Sequence, residues 1–226
     1  MTIDAATVAA RLDGVRHRIE AAGGDVERVR IVAVTKGFAP PIIRVALAAG
    51  CRDLGENYAQ DLLAKVHALD AEPLGDPPPA WHFLGRVQTN KVRQLAPHVA
   101  LWQSVDRPDL IREIAKRAPG AAVLVQINLS GEEQKGGCRF EDAGALVANA
   151  REAGLDVQGL MGVGPAGDPQ LARPGFDRLV ALADELALPE RSIGMSGDLE
   201  VAVAAGATMV RIGRDLFGPR PARAES

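Results

Sequence analysis

Residues 192–220 read SIGMSGDLEVAVAAGATMVRIGRDLFGPR, and this stretch holds the repeating unit of the fold. A short apolar run at Ser192–Gly194 leads through a glycine turn into a helical stretch at Leu199–Ala205, and a second apolar run follows at Thr208–Ile212. Two strands that are joined by a helix pair in parallel, because such a connection has to cross back along the sheet. The stretch therefore predicts a strand–helix–strand unit of a parallel sheet.

The same alternation extends over the rest of the chain. Six further apolar runs precede this unit: Val29–Val34, Arg52–Leu54, Trp81–Leu84, Ala100–Val105, Ala122–Ile127 and Val157–Met161. Helical stretches separate them: Pro41–Ala49, Tyr58–Leu69, Thr89–Ala96, Pro108–Arg117, Glu141–Ala153 and Arg173–Ala187. Runs rich in Val, Ile and Leu are typical of strands buried on both faces. Eight strand–helix units favour a closed barrel over an open sheet.

The prediction is a single (β/α)8 TIM barrel over residues 1–226, an α/β fold, with an extra helix at its N-terminus. Apolar residues recur at helical spacing from Ile3 to Ile19, and Gly23-Gly24 ends this pattern before the first strand. A length of 226 residues suits one barrel of this kind.

Composition and charge exclude several classes of function. The chain is 47% hydrophobic and 24% charged, with a formal net charge of −3 and a pI near 5.8, so it lacks the basic footprint of a nucleic-acid or anionic-membrane binder. Cys51 and Cys138 are too few for a disulfide framework or a zinc site. We see neither a signal peptide nor a membrane-spanning run. We therefore expect a cytoplasmic protein, and a monomer because no helix carries an obvious interface stripe.

Function in such a barrel belongs at the carboxyl ends of the strands. Lys36 directly follows the apolar run Ile31–Val34, so its stem leaves the barrel at the mouth. Partial burial lowers the pKa of a lysine, because desolvation disfavours the ammonium form. A neutral amine attacks an aldehyde, which makes Lys36 a candidate for Schiff-base chemistry. A solvated, inert lysine is the common alternative.

A phosphate site is the second candidate, because barrels often bind phosphate in the loops after strands seven and eight. Met195 and Ser196 follow strand seven, and the small Gly197 allows close approach of backbone N–H groups. Gly213 and Arg214 follow strand eight and offer further backbone donors and one cation. The alternative for these residues is an N-cap serine and two turn glycines.

Two other features carry less weight. Gly162–Gly167 matches the dinucleotide-binding pattern G-x-G-x-x-G, but Pro165 interrupts it and it belongs to the sixth unit, so we expect no nucleotide there. His82 has no carboxylate partner that the sequence identifies, and we interpret it as a core histidine or one that lines the pocket at the mouth, and not as a catalyst.

Six stretches together resemble the pyridoxal 5′-phosphate (PLP) homeostasis proteins, also described as alanine-racemase N-terminal-like proteins. They are IVAVTKGFAP (31–40), LGENYAQD (54–61), WHFLGRVQTNKVR (81–93), VQINLSGEEQKGG (125–137), GLMGVGP (159–165) and the stretch 192–220. They follow the family order and cover nearly the whole chain. The last stretch with the GENY and QTNK segments is highly specific, whereas any one alone is weak.

The resemblance implies a PLP-bearing barrel without a second domain. Lys36 matches the Schiff-base lysine of the family. Ser196, Gly213 and the backbone at Arg214 match the phosphate cradle, with Gly197 nearby. The family often has a small hydroxyl residue at the position of Arg214, so this arginine either contacts the phosphate or points to solvent.

The resemblance also bears on activity. Arg211 matches an arginine close to the cofactor, and Asn57 and Met195 match pocket residues. A carboxylate at the pyridine nitrogen makes PLP a strong electron sink, and an arginine there would make a weaker one. The resemblance therefore implies storage, delivery or buffering of PLP, with PLP and amino acids as the ligands.

Two alternatives stay open for the sequence. One is a PLP-dependent amino-acid enzyme such as a weak racemase, whose second base is usually a tyrosine from another domain. This chain has one tyrosine, Tyr58. The other alternative is a phosphate-binding metabolic barrel that does not hold PLP.

Overall fold

A computed structural model describes residues 3–71, 78–132 and 135–221. Eight parallel strands pair in chain order and close into one barrel, which confirms the predicted (β/α)8 fold. The strands are β1 (Arg30–Val34), β2 (Asp53–Glu56), β3 (Ala80–Phe83), β4 (Val99–Val105), β5 (Ala122–Ile127), β6 (Asp156–Gly162), β7 (Glu190–Met195) and β8 (Met209–Ile212).

Helices connect the strands and cover the outside of the barrel. They are α1 (Ala5–Ala21), α2 (Ile42–Ala48), α3 (Ala59–Ala71), α4 (Thr89–Leu95), α5 (Pro108–Arg117), α6 (Phe140–Glu152), α7 (Arg173–Glu185), α8 (Leu199–Ala205) and α9 (Arg214–Phe217). A short 3-10 turn at Pro169–Ala172 precedes α7. The extra N-terminal helix is present as α1, whereas the four-residue α9 was not expected from the sequence.

The pairing of β1 with β8 closes the barrel. Arg30 lies opposite Met209, and Ala33 lies opposite Ile212. On its other side β1 pairs with β2. Because all strands are parallel, their carboxyl ends meet at one rim. The residues that follow β1, β7 and β8 therefore lie at the same mouth although they are far apart in sequence.

Apolar side chains form one core inside the barrel and another around it. Successive residues of a strand point to opposite faces, so Ala33 of β1 packs outward while its neighbour Val32 packs inward. The outer core fills the space between sheet and helices and includes the fully buried Trp102 and Phe176. The inner core is small and consists of Val32, Leu101, Leu124, Met161 and Met209.

Helix α1 is fixed to the barrel wall. Its N-cap Asp4 accepts a hydrogen bond from the N–H of Thr7 at 2.7 Å. The helix packs against α2, α8 and α9. Its apolar stripe is at most 4% exposed and consists of Val8, Leu12, Val15 and Ile19. The helix therefore lies beside the last strand–helix units.

Both cysteines are free thiols. Burial raises the pKa of Cys51 to about 11 and that of Cys138 to about 12, so both stay protonated at neutral pH.

Within residues 3–71, 78–132 and 135–221, no helix has the length and apolar character needed to cross a membrane.

Replacing Phe176 with alanine tests the outer core. The ring is fully buried on α7, so we expect Phe176→Ala to lower the free energy of unfolding by about 3–5 kcal/mol through lost burial and a residual cavity. Leu171→Ala removes a side chain that is 63% exposed and should change it by less than about 0.5 kcal/mol. Denaturant unfolding measures both, and equal losses would contradict this packing.

Candidate functional site

A cavity of about 960 Å³ opens at the carboxyl ends of the strands. The eight residues that the sequence singles out for a cofactor all line it: Lys36, Asn57, Met195, Ser196, Gly197, Arg211, Gly213 and Arg214. They lie in or just beyond β1, β2, β7 and β8, which barrel closure places next to one another. The structure thus brings every predicted site residue to one place.

Lys36 is half-buried just beyond the end of β1. Its pKa is lowered, first because burial disfavours the ammonium form, and then because Arg220 and Arg211 are nearby cations. Arg220 packs against Gly37, where an added Cβ would lie 3.3 Å from the Cδ of the arginine. Gly37 has a φ of +80°, which favours glycine. The amine is therefore shifted toward its neutral, nucleophilic form.

A buried ion pair holds the residue before Lys36. The Nζ of Lys65, whose side chain is 1% exposed, donates to the carboxylate of Glu56 and, at 2.7 Å, to the carbonyl oxygen of Thr35. The Thr35 hydroxyl donates to the same carboxylate oxygen at 2.6 Å. Burial raises the pKa of Glu56, and Lys65 opposes this shift. A lysine is rarely buried without a partner, and here the partners are Glu56 and Thr35. Their hydrogen bonds tie α3 to the end of β1. Neither Glu56 nor Lys65 was predicted from the sequence as part of the site.

Arg211 presents a fixed cation to the cavity. Its Nη1 donates to the carbonyl oxygen and the hydroxyl of Ser192 at 2.6 and 2.7 Å, and its Nη2 donates to the carbonyl oxygen of Gly162 at 2.7 Å. Burial lowers the pKa of Arg211 to about 10, while Asp198 acts in the opposite direction. The guanidinium therefore remains charged at neutral pH and is held in one orientation.

A chain of hydrogen bonds leads from Arg211 through the barrel interior. The Ser192 hydroxyl donates to Oε1 of Gln103, and Nε2 of Gln103 donates to Nδ1 of His82, both at 2.7 Å. Because Nδ1 accepts, we assign the ring proton to Nε2, which donates to Asp53 at 2.9 Å. Of the two interpretations of His82, the core histidine is therefore the one that the structure supports, and His82 does not line the cavity. Its ring is 1% exposed inside the barrel and has Asp53 as its carboxylate partner.

The loops after β7 and β8 contact each other beside the cavity. The backbone N–H of Asp215 donates to the Ser196 hydroxyl oxygen at 3.3 Å. Gly213 comes so close to β1 that an added Cβ would lie 3.1 Å from the carbonyl oxygen of Val34. A larger residue there would push this loop away from β1, so glycine sets the close approach.

Arg214 departs from the small hydroxyl residue that the resemblance predicts at its position. The residue is exposed, yet its Nη2 lies 3.9 Å from the point that a Cβ on Gly197 would occupy. The turn that carries Gly197 is closed by Met195, whose N–H donates to the carboxylate of Asp198 at 2.6 Å. Arg214 therefore places a cation beside this turn.

Asn57 lies at the cavity wall with an unused acceptor. Its Oδ1 is buried and has no hydrogen-bond partner among the residues that the structure describes. The backbone of Asn57 is fixed by Gly85, where an added Cβ would lie 1.9 Å from the Asn57 carbonyl oxygen. An unsatisfied buried acceptor costs free energy, and a ligand with a donor group would remove that cost.

Five polar residues of the cavity were missed by sequence reasoning: Arg86, Gln126, Lys135, Asp198 and Arg220. Lys135 forms an ion pair with Glu132 at 2.5 Å and donates to the carbonyl oxygen of Gly164 at 3.2 Å. The available signal was their position, because Arg86 follows β3 and Lys135 lies in the segment after β5.

The cavity is strongly cationic. Its cationic side chains are Lys36, Arg86, Lys135, Arg211, Arg214 and Arg220. In the described part of the chain, the lining contains one carboxylate, that of Asp198. An excess of one charge in a concave site attracts ligands of the opposite charge. The site therefore suits a small anionic ligand.

Comparison with known sequences gives a consistent picture. Residues 10–221 match the family described as "Alanine racemase, N-terminal domain". A pyridoxal phosphate homeostasis protein of Pseudomonas aeruginosa is 41% identical over 223 residues, which cover 95% of this chain and 94% of that protein. Another from Aquifex aeolicus is 40% identical, with coverage of 92% and 95%.

A solved structure extends the similarity to three dimensions. PipY of Synechococcus elongatus, solved with PLP bound, is 31% identical and superposes with a TM-score of 0.81. The match covers 93% of this chain and 100% of that chain. Sequence and fold agree over nearly the full length. The chain therefore belongs to the alanine racemase N-terminal domain family and, within it, to the pyridoxal phosphate homeostasis proteins.

Proposed function

We propose that this protein binds PLP as a Schiff base on Lys36 and serves PLP homeostasis by storing, delivering or buffering the cofactor, without strong catalytic turnover. The observation that carries the proposal is one cavity that joins an amine of lowered pKa to the loops after β7 and β8. The relatives are named for PLP homeostasis, and PipY was solved with PLP bound, which supports the same ligand here.

The residues of the cavity fit PLP. When bound, PLP supplies an aldehyde that condenses reversibly with an amine, and Lys36 is the amine at the mouth. Ser196, Gly197, Gly213 and the backbone at Arg214 would hold the phosphate, because they combine a hydroxyl, close backbone approach and a neighbouring cation. The six cations of the lining favour a phosphorylated ligand over a neutral one.

The lining also favours retention over turnover. A strong electron sink needs a carboxylate at the pyridine nitrogen. Asp198 is the one carboxylate of the described lining, and its Oδ1 already accepts from the N–H of Met195. Arg211, matched by resemblance to an arginine near the cofactor, offers a fixed cation and donor instead. Together with Asn57 and Met195, it would hold the ring in place.

The proposal also covers the compartment, the oligomeric state, the domain organisation and the further ligands of the protein. We place it in the cytoplasm as a monomer formed by one barrel domain over residues 1–226, with amino acids as further ligands of the mouth. Both cysteines are free thiols, as is usual in a reducing compartment. In the described ranges, large exposed apolar side chains are confined to Tyr58 and Leu171, which supports a monomer.

Replacing Lys36 tests the attachment point. We expect Lys36→Ala to lose the absorption band of bound PLP and to remain folded, because Lys36 lies outside both apolar cores. Borohydride reduction of the wild-type protein should leave a pyridoxyl group on the peptide that contains Lys36. Lys116→Ala, which changes an exposed lysine of α5, is the control. A reduced group on another lysine, or an unchanged spectrum in Lys36→Ala, would contradict the assignment.

Transfer of the cofactor tests the homeostasis role. We expect PLP-loaded protein to reactivate a PLP-free aminotransferase, because attachment to an amine is reversible. Single amino-acid enantiomers incubated with the loaded protein should interconvert no faster than with free PLP, as polarimetry would show. Racemisation far above the rate of free PLP would establish a racemase and overturn the role proposed here.

Arg220→Ala tests the electrostatic control of Lys36. Arg220 lowers the pKa of Lys36, so its removal should raise that pKa and move amine reactivity to higher pH. The measurement is trinitrophenylation of Lys36 in PLP-free protein over a pH series, read by peptide mass spectrometry. The wild-type midpoint should lie below the ordinary lysine value of about 10.4. Arg112→Ala, on the exposed face of α5, should leave the midpoint unchanged, and an equal response of the two variants would refute the role of Arg220.

A further inference from the structure

Helix α1 reaches the loops of the proposed phosphate site through Arg18. The Nε and Nη2 atoms of Arg18 donate to the two carboxylate oxygens of Glu200 in α8, at 2.6 and 3.1 Å. Its Nη1 donates to the carboxylate of Asp215 in α9 at 2.5 Å. Its Nη2 also donates to the carbonyl oxygen of Ser196 at 3.2 Å. One side chain therefore ties together the segments that follow β7 and β8.

The bond to Ser196 sets the orientation of the peptide between Ser196 and Gly197. In a planar trans peptide, the carbonyl group and the following N–H point in opposite directions. Because the Ser196 carbonyl faces Arg18 on the outer helix, the N–H of Gly197 points away from α1. Gly197 lines the cavity, and no residue in the described ranges accepts a hydrogen bond from its N–H. That donor is available to an anion.

Arg18 also forms ion pairs with two carboxylates beside the proposed phosphate site, and its single charge offsets one of their two negative charges. Glu200 and Asp215 lie in the first turns of α8 and α9, close in sequence to the loops that carry Ser196 and Gly213. Unpaired, both would repel a phosphate in the cavity. The hydrogen bond from Arg18 lowers the pKa of Glu200, so that carboxylate is ionised at neutral pH and needs its partner.

We propose that Arg18 is a positioning residue for phosphate binding, which turns the N–H of Gly197 toward the anion and offsets one of the two negative charges of Glu200 and Asp215. The inference rests on the proposed function, because it takes the anion to be the phosphate of PLP. It assigns a role to the N-terminal helix, which contacts Ser196 and Asp215 through Arg18, a residue that does not line the cavity.

The helix does not depend on Arg18 to stay attached. Its apolar stripe is buried against α2, α8 and α9, and Arg11 donates to the carbonyl oxygen of Leu216 at 3.0 Å. An Arg18→Ala variant should therefore remain folded, with α1 in place. Thermal unfolding verifies this before any binding is measured.

The test compares PLP with pyridoxal, which has the same aldehyde and ring but no phosphate. We expect Arg18→Ala to lower the ratio of the two affinities by roughly tenfold or more, the scale of one charge-assisted hydrogen bond. Arg16→Ala is the matched control, because Arg16 lies on the same helix and pairs only with Asp13 among the described residues. Its ratio should equal that of the wild type.

Two further measurements separate positioning from loss of structure. Neutralising the carboxylates in the triple variant Arg18→Ala, Glu200→Gln, Asp215→Asn should restore part of the lost ratio. In PLP-free protein, inorganic phosphate should shift the backbone amide NMR signal of Gly197 in the wild type and shift it less in Arg18→Ala. The ratio and the NMR shift both report on the phosphate site rather than on activity.

The outcomes distinguish this inference from the proposed function. A wild-type protein that binds pyridoxal as tightly as PLP would overturn the proposed function and this inference with it. A wild-type preference for PLP that survives in Arg18→Ala would overturn this inference alone. So would equal losses of affinity for PLP and pyridoxal, or a triple variant that recovers nothing.

Discussion

The parallel pairing of β1 with β8 determines where every group at the mouth lies. Ala33 stands opposite Ile212, so the chain that leaves β1 toward Lys36 runs beside the chain that leaves β8 toward Gly213. The two segments lie close together at Gly213, where an added Cβ would lie 3.1 Å from the carbonyl oxygen of Val34. Backbone hydrogen bonds of the closed barrel therefore bring the amine next to the loops that we propose for the phosphate.

The buried charged side chains at this mouth are held by partners of the same chain. Lys65 and Glu56 fix the end of β1 from α3, and three acceptors hold Arg211. Buried charges are costly unless their hydrogen bonds are satisfied, so these networks constrain orientation more than they add stability. On the outer side, Arg18 satisfies two carboxylates at once. The mouth therefore carries an excess of positive charge, and its buried cation Arg211 has its direction set in advance.

Much of this arrangement is predictable from the sequence, because strand ends are visible as the ends of apolar runs. Lys36 could be placed at the mouth in this way. Strand β7 was predicted as Ser192–Gly194 but spans Glu190–Met195. Its polar first residues pair with β6 and its last residue pairs with β8, and an apolar pattern does not reveal such pairing. The Glu56–Lys65 pair was beyond the sequence, because periodicity does not tell which polar groups of different elements meet. The same limit hid the partners of Arg18, which no sequence pattern singles out.

The division of roles along the cavity explains why such a barrel suits holding a ligand more than transforming it. An amine of lowered pKa links to an aldehyde and releases it again without consuming it. A phosphate cradle adds affinity that is independent of any chemistry at the ring. Arg211 is held by Ser192 and Gly162 and stays charged at neutral pH. A carboxylate at the pyridine nitrogen strengthens the electron sink of PLP, and a cation at that nitrogen would not. Under the proposed function, the ring would be held at both ends while its reactivity stays low, and the cofactor would leave the mouth intact.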